Sequence, residues 1–357
     1  MSFSCNASIY CIEECLTYFK NIYSNLEKNH FLRYTLLNII LNRHNIMNID
    51  YMIFAFLLII LILSGAVTTR SISKISLYLK LGHFAAGFII MAIVTSVPEL
   101  IIGITSAIEK IPELSLGTVL GSNVVNLSLV IGTAVLIAGE INFKDNKIKK
   151  ELIYPFFIAL LPIILASDGI LSRIDGIILI IIFIAYFTLV FKQTDFEEEE
   201  NVVNKKQFIK NLIFFSIGLM ALLISAKYLV DYTPLIASDI GIPVFLIGII
   251  LISFGTSLPE LTFETISLLH GYKILAVGDL MGSTVSNSTL ILGTVSIINP
   301  ILVPDYSEFQ IVSIFFIILI SIFSLYLMSK SGLTRLRALL LIIIYIIFLF
   351  LTGFNMN

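Results

Sequence analysis

Two stretches of this 357-residue chain present the same oxygen-bearing side chains at the same spacing. Residues 95–133 and 256–294 align without gaps, and fifteen of the thirty-nine aligned positions are identical, including a TSxPEL segment and a GSxxxN segment. An internal repeat of this kind predicts two structurally equivalent halves. The repeated polar residues that could bind a cation are Thr95 and Thr256, Ser96 and Ser257, Glu99 and Glu260, Ser122 and Ser283, and Asn126 and Asn287.

Each copy is expected to gather several oxygen atoms on one helix face. Residues three and four apart on an α-helix are neighbours, so Thr95, Ser96 and Glu99 share a broad face, on which Ala92 also lies. The second copy repeats this face with Ser253, Thr256, Ser257 and Glu260. The following span adds two residues four apart in each copy, namely Ser122 with Asn126 and Ser283 with Asn287.

A proline lies inside the apolar run of each copy. Proline lacks an N–H and crowds the carbonyl four residues earlier. Pro98 and Pro259 are therefore predicted to bend their helices and to release the carbonyls of Val94 and Gly255 as ligands.

Glycines four apart in the next span indicate close helix packing rather than contact with an ion. The residues of this pattern are Gly117, Gly121, Gly278 and Gly282.

The chemistry of these residues points to Na⁺ or Ca²⁺. Hard cations take oxygen ligands, about six to eight of them for Ca²⁺, whereas transition metals favour histidine or cysteine, which the repeated positions do not include. An ionised carboxylate inside a bilayer costs at least about 2.5–3.5 kcal/mol. No lysine or arginine lies at comparable depth in either copy, so Glu99 and Glu260 need a bound cation or protons as counter-charge. One divalent ion, or two or three monovalent ions, could share the same oxygens.

Other roles stay open for each type of residue. Glu99 and Glu260 could be protonated donors in hydrogen bonds between helices. Asn126 and Asn287 could link helices without touching an ion. Serine and threonine hydroxyls in membrane helices often bond to their own backbone, so each hydroxyl taken alone is ambiguous.

The elements that position these residues are membrane-spanning helices. The chain is 58% hydrophobic and only 13% charged, whereas soluble domains are about 25% charged. Its net charge of -2 offers no basic face for nucleic acid, so that class of partner is excluded in favour of the lipid bilayer. A crossing needs about twenty apolar residues. We predict an all-α polytopic membrane protein with ten spans: 51–69, 83–108, 114–139, 151–167, 174–191, 208–230, 241–268, 273–298, 309–328 and 334–352.

The spans divide into two sets of five. Residues 1–50 are predicted to form an N-terminal tail of unknown role, 51–192 the first membrane repeat, 193–207 a cytoplasmic linker, and 208–357 the second membrane repeat. Because five is an odd number, the second repeat enters the membrane in the opposite sense. Inverted-topology repeats are common in transporters, which bind their substrate near the bilayer midplane between the repeats.

The positions of Lys and Arg predict the orientation, because short loops rich in these residues stay in the cytoplasm. If the first span runs from outside to inside, fifteen of them fall on the cytoplasmic side and three on the outer side. The four in the tail oppose this arrangement. We predict a multi-pass protein of the cell membrane with both termini outside the cytoplasm.

The paired TSxPEL and GSxxxN segments resemble the two alpha-repeats of the calcium/cation antiporter superfamily, specifically the prokaryotic sodium/calcium exchangers. The likeness covers residues 51–357. It implies ten helices in two inverted halves, an ion core made of the second, third, seventh and eighth helices, and sliding of the first and sixth across that core.

The resemblance also implies a set of ligands. Glu99 and Glu260 match the two central carboxylates, while Ala92 and Ser253 fall where the family uses backbone carbonyls. Hydroxyl and amide ligands are implied at Thr95, Ser96, Thr256, Ser257, Ser122, Ser283 and Asn126.

Four positions depart from the family pattern. Asn287 stands where many relatives have aspartate, and Val94 replaces a glycine that the second copy keeps. Asp279 takes a position that is commonly asparagine, and Glu264 lies one helical turn beyond Glu260. We hypothesise that Glu264 or Asp279 restores the charge lost at Asn287, either as an outer ligand or as a proton acceptor.

The expected function is exchange of sodium for calcium by alternating access, without enzymatic activity and without a cofactor. Cation/proton antiport, for example calcium/proton exchange, is the alternative, with H⁺ as the coupling ion. An intramembrane enzyme is a remote alternative, because the spans contain no aspartate pair, serine–histidine dyad or basic phosphate site. A passive channel is a further option, although channel sites are usually symmetric rings. The oligomeric state is not predicted.

Overall fold

Long apolar helices make up most of the described chain. The computed structural model describes residues 49–68, 70–71, 74–75, 92–143, 146–192, 205–303 and 306–354. Most of the predicted N-terminal tail, the linker residues 193–204 and the start of the second predicted span, 83–91, lie outside these ranges.

The first half contains one long helix with an internal irregularity. The helices are α1 (Ile49–Thr68), α2 (Val97–Ile108), α3 (Glu113–Ala138), α4 (Asn146–Ala159), α5 (Leu161–Leu165) and α6 (Arg173–Lys192). Within α3, a π-helical segment, Asn126–Val130, separates the α-helical parts Glu113–Val125 and Ile131–Ala138. A 3₁₀ turn, Ala166–Asp168, and strand β1, Ile170–Leu171, connect α5 to α6.

The second half has two such interrupted helices. Its elements are α7 (Lys205–Ile240), α8 (Val244–Leu269), α9 (Lys273–Ile298), β2 (Ile301–Leu302), α10 (Tyr306–Met328) and α11 (Arg335–Phe354). The parts of α8 are Val244–Ile247, the π segment Gly248–Ile252, Ser253–Thr256 and Leu258–Leu269. The parts of α9 are Lys273–Ser286, the π segment Asn287–Ile291 and Leu292–Ile298.

The all-helical, polytopic class predicted from the sequence is confirmed, but the count of ten spans is not. In the described ranges, eight helices are long and apolar enough to cross a bilayer, and two further apolar helices, Val97–Ile108 and Ile153–Asp168, are shorter. The predicted span 208–230 ends too early, because α7 continues to Ile240. Asp231 lies inside this helix and is exposed, and it pairs with Lys227 one turn earlier at 3.4 Å.

Equivalent helices of the two repeats make equivalent contacts. Gly132, near the end of α3, packs against Ala338 and Ile342 of α11. Its repeat counterpart, Gly293 of α9, packs against Gly176 of α6. The third helix of each repeat therefore contacts the fifth span of the other repeat.

The connections repeat the same relation. Strand β1, just before α6, pairs antiparallel with β2, just after α9. In the other repeat, Ile141 follows α3 and forms a bridge with Leu333, just before α11. This exchange of partners is expected for two structurally equivalent repeats and is compatible with the inversion predicted from the sequence.

Glycine lets α3 and α8 approach closely at the centre. A Cβ atom at Gly117 would collide with the Phe245 carbonyl oxygen, and one at Gly121 would lie 2.6 Å from the Ile249 carbonyl oxygen. Gly248 of α8 makes the reciprocal approach to α3. The predicted packing role of Gly117 and Gly121 is confirmed, and α3, α8 and α9 have the largest buried shares of the eight spans.

We expect Gly117→Ala to destabilise the protein by about 1–3 kcal/mol or more, because the added methyl group meets backbone that cannot rotate away. The thermal unfolding midpoint in detergent measures this. Gly255→Ala is the matched control, since its Cβ would lie 3.1 Å from the flexible end of Leu58, and the first repeat already has Val94 at that position. Equal midpoints for the two variants would contradict this account of the packing.

Candidate cation site

Both TSxPEL segments interrupt their helix two residues before the proline. Helical geometry stops at Ser96 (φ -81°, ψ 5°) and at Ser257 (φ -83°, ψ 1°), and it resumes at the next residue. These angles lie in the sparsely populated bridge region, where active-site residues are often found. The predicted bend is thus a matched helix break, and it places Glu99 and Glu260 in the first turn of the new helix.

Backbone carbonyls near each break accept short-range bonds. Thr95 donates to the Ala92 carbonyl and Thr256 donates to the Ser253 carbonyl, both at 3.3 Å. The Ser257 N–H also donates to the Ser253 carbonyl, at 3.1 Å. The predicted role of these carbonyls as ion ligands stays a prediction.

A hydroxyl chain joins the two repeats beside Glu99. Ser122 of α3 donates to Glu99 Oε1 at 3.4 Å, and its Oγ lies 3.4 Å from Thr256 Oγ1 of α8. All three side chains are buried. Three residues predicted from different parts of the sequence therefore meet at one point between the repeats.

Glu260 lies in the same region, within electrostatic reach of Glu99. Its side chain is fully buried, and neither carboxylate oxygen accepts a hydrogen bond from another side chain in the described part of the protein. Its surroundings do not mirror those of Glu99. Ser283, the counterpart of Ser122, donates to the carbonyl of Leu280 in its own helix.

Asparagines occupy the starts of two π-helical segments. The segments of α3 and α9 begin at the repeat-related residues Asn126 and Asn287. In a π segment the backbone hydrogen bonds join residues five apart instead of four, and such segments are frequent at functional sites. Neither the amide oxygen nor the amide nitrogen of Asn126 has a hydrogen-bond partner among the described residues, although both are buried.

Asn287 has partners that sequence reasoning missed. Its Nδ2 donates to Asn123 Oδ1 at 3.4 Å, and Asn123 in turn donates to Ser288 Oγ at 2.9 Å. Asn123 aligns with Thr284, and Ser288 aligns with an apolar residue, so the repeat gave no signal for either. The nitrogen of Asn287 thus links helices, while its buried Oδ1 has no partner in the described residues.

The carboxylates of this region have no buried basic partner. Where the structure describes side chains, none of the buried charged residues is a lysine or arginine. The same residues contain no group of three or more acidic, histidine or cysteine side chains that could hold a metal ion by themselves. Buried polar groups without partners are costly. A bound cation would therefore need carboxylates together with neutral hydroxyl, amide and carbonyl oxygens.

These features define a polytopic membrane protein whose two inverted repeats meet at a buried, oxygen-rich and net acidic centre. The chain belongs to the sodium/calcium exchanger protein family, whose model matches residues 49–192 and 210–354. The resemblance inferred from the TSxPEL and GSxxxN segments is thereby confirmed. The family is one of membrane antiporters rather than enzymes.

Individual relatives agree with this assignment. An uncharacterized membrane protein of Methanocaldococcus jannaschii is 30% identical over 215 residues, which are 60% of this chain and 70% of that protein. The sodium/calcium exchanger MaX1 of Methanosarcina acetivorans is 26% identical over 304 residues, 73% of this chain and 86% of that one.

Solved structures show the same fold. A structure of the sodium-calcium exchanger NCX_Mj, soaked with Na⁺ and Sr²⁺, superposes with a TM-score of 0.58 at 27% identity. The match covers 84% of this chain and 96% of that chain.

We expect Ser122→Ala to weaken Ca²⁺ binding about tenfold or more, because a hydrogen bond to a charged group contributes about 1.5–3 kcal/mol. Isothermal titration of the purified protein with Ca²⁺ measures the change. Ser106→Ala is the control, since that buried hydroxyl donates to the Gly103 carbonyl of its own helix. Unchanged Ca²⁺ affinity in Ser122→Ala would remove this residue from the site.

Proposed function

We propose that this protein exchanges Na⁺ for Ca²⁺ by alternating access, with Glu99 and Glu260 as the central ligands. The observation that supports this most strongly is the burial of two repeat-related carboxylates in helices that the Glu99–Ser122–Thr256 contacts join. Like charges in a dry interior require a counter-charge. One Ca²⁺ neutralises both, and Na⁺ ions can use the same oxygens, so each ion excludes the other. Such competition is the basis of exchange.

Neutral oxygens complete the proposed ligand shell. Ser96, Ser257 and Asn126 are supported by buried side-chain oxygens without partners among the described residues. Ser283 gives its proton to a backbone carbonyl, which leaves its oxygen lone pairs for an ion. The remaining proposed ligands are the hydroxyls of Thr95, Thr256 and Ser122, the amide oxygen of Asn287 and the carbonyls of Ala92 and Ser253.

Helix α1 lies against both helix breaks. A Cβ at Gly65 of α1 would lie 3.1 Å from Pro98 Cγ and 3.8 Å from Pro259 Cγ, so α1 crosses the core where the two breaks meet. Gly218 of α7 packs against Thr68 of α1. We propose that α1 and α7 slide together across this surface and open the site to each side of the membrane in turn.

We expect Na⁺-loaded proteoliposomes to take up ⁴⁵Ca²⁺ when external Na⁺ is removed, and Glu99→Gln or Glu260→Gln to reduce this uptake more than about 100-fold. Removal of one partner from a buried charged cluster costs about 3–5 kcal/mol. Glu113→Gln is the matched control. Glu113 begins α3, nine residues before Ser122, or about 14 Å along the helix axis.

The same assay separates sodium coupling from proton coupling. With pH gradients collapsed by an ionophore, uptake that persists and follows the Na⁺ gradient supports sodium/calcium exchange. Uptake that follows an imposed pH gradient and ignores Na⁺ would instead establish the cation/proton alternative. The family match does not favour that alternative.

We also propose that the protein lies in the cell membrane with both termini outside the cytoplasm. The Lys and Arg distribution supports this. The connection containing Asp168 would then face outward, and the connection containing Lys330 would face the cytoplasm. Both side chains are exposed.

We expect Asp168→Cys to react with a membrane-impermeant maleimide in intact cells, and Lys330→Cys to react only after permeabilisation. Both variants need a background in which the three native cysteines, Cys5, Cys11 and Cys15, are replaced by serine. A reversed labelling pattern would invert the proposed orientation and leave the exchange mechanism intact.

A further inference from the structure

Two buried carboxylates are present in the second repeat only. Glu264 and Asp279 align with Gly103 and Thr118 of the first repeat, neither of which has a charge. At Gly103 a side chain would be excluded, because a Cβ would lie 2.9 Å from Ser115 Oγ. The second repeat therefore contributes three buried carboxylates to this region, and the first repeat contributes one, Glu99.

The two side chains lie on the consecutive helices α8 and α9. Both are fully buried, and Glu264 is within electrostatic reach of Asp279. Asp279 Oδ1 lies 3.4 Å from Thr95 Oγ1 and shares its single proton with the Ala92 carbonyl. Within the described residues, Asp279 Oδ2 and both oxygens of Glu264 have no hydrogen-bond partner. Three buried carboxylate oxygens are thus left without a donor.

The pair lies to one side of the central carboxylates. Glu264 is four residues beyond Glu260 on α8, which is about 6 Å along the axis, toward the turn that leads into α9. Asp279 is six residues into α9, about 9 Å from its start at Lys273. Both carboxylates therefore lie between the centre and the same end of the hairpin.

We propose that Glu264 and Asp279, together with the Thr95 hydroxyl that they share with the central site, bind a second hard cation, Na⁺ or Ca²⁺, beside that site. All donors are hard oxygen ligands, which suit these two ions rather than transition metals. In the described side chains no buried lysine or arginine is available to balance the pair. Thr95 belongs to the first repeat, whereas Glu264 and Asp279 belong to α8 and α9. Occupancy of the second site therefore depends on the position of α8 and α9 relative to Thr95.

The transport role of this ion rests on the proposed function, whereas its binding does not. In the proposed orientation, the end of the α8–α9 hairpin that contains Lys273 faces the cytoplasm. During exchange, the second cation would lie closer to that side than the central ion does. The first repeat lacks an equivalent, so the two directions of transport would pass through unequal sites.

Equilibrium binding of ⁴⁵Ca²⁺ and ²²Na⁺ to the purified full-length protein tests the proposal. We expect Glu264→Gln and Asp279→Asn each to lose one bound cation per chain while the central site stays occupied. A lower ⁴⁵Ca²⁺ count identifies Ca²⁺ as the second ion, and a lower ²²Na⁺ count with unchanged ⁴⁵Ca²⁺ identifies Na⁺. Asp279→Asn keeps an oxygen for Thr95, so it removes charge without removing that hydrogen bond.

Asp239→Asn, an exposed substitution at the end of α7, controls for the change in net charge. Glu264→Asp keeps the charge but shortens its reach, and we expect weaker binding of the second ion only. If all three variants of the pair bind both ions as wild type does, the proposal is wrong. If wild-type vesicles show no exchange but the variants still lose one cation, the proposed function fails and the second site stands.

Discussion

Negative charge without a basic partner in a dry interior is the constraint on which this structure depends. Glu99, Glu260, Glu264 and Asp279 are buried, and no lysine or arginine is buried with them in the part of the chain whose side chains are described. Water is excluded and the dielectric constant is low, so repulsion among these groups is weakly screened. Burial of these groups is costly unless protons or bound cations neutralise them.

The backbone is adapted to the same requirement. Irregular backbone at membrane depth is tolerated only where it is buried in protein or lines a cavity. The breaks at Ser96 and Ser257 and the π segments that begin at Asn126 and Asn287 all lie in the central helices. Close packing of α3 on α8 through Gly117 seals this region. The helices that pack most closely are therefore also the helices that contain most of the proposed ligands.

The internal repeat explains which helices contribute the site residues. Differences between the two copies explain why equivalent residues make different contacts. The repeat places two glutamates and two asparagines in equivalent helices, and the equivalent contacts of α3 with α11 and of α9 with α6 join the two halves. Ser122 and Ser283, identical in the alignment, nevertheless make different hydrogen bonds. A symmetric pair of repeats gives access from two sides, whereas unequal contacts allow the two sides to bind ions differently.

The sequence by itself determined the class of fold, the inverted repeats and the family, because apolar run length and a charged motif repeated within apolar spans are local signals. It also predicted that Glu99, Ser122 and Thr256 belong together, since each lies in the repeated motif. Only the tertiary structure decided that Asp279 accepts a bond from Thr95 and that Asn123 and Ser288 support Asn287. These contacts join residues more than 160 positions apart and have no counterpart in the other repeat. Hydrophobic periodicity likewise did not predict where the π segments begin or how far α7 extends.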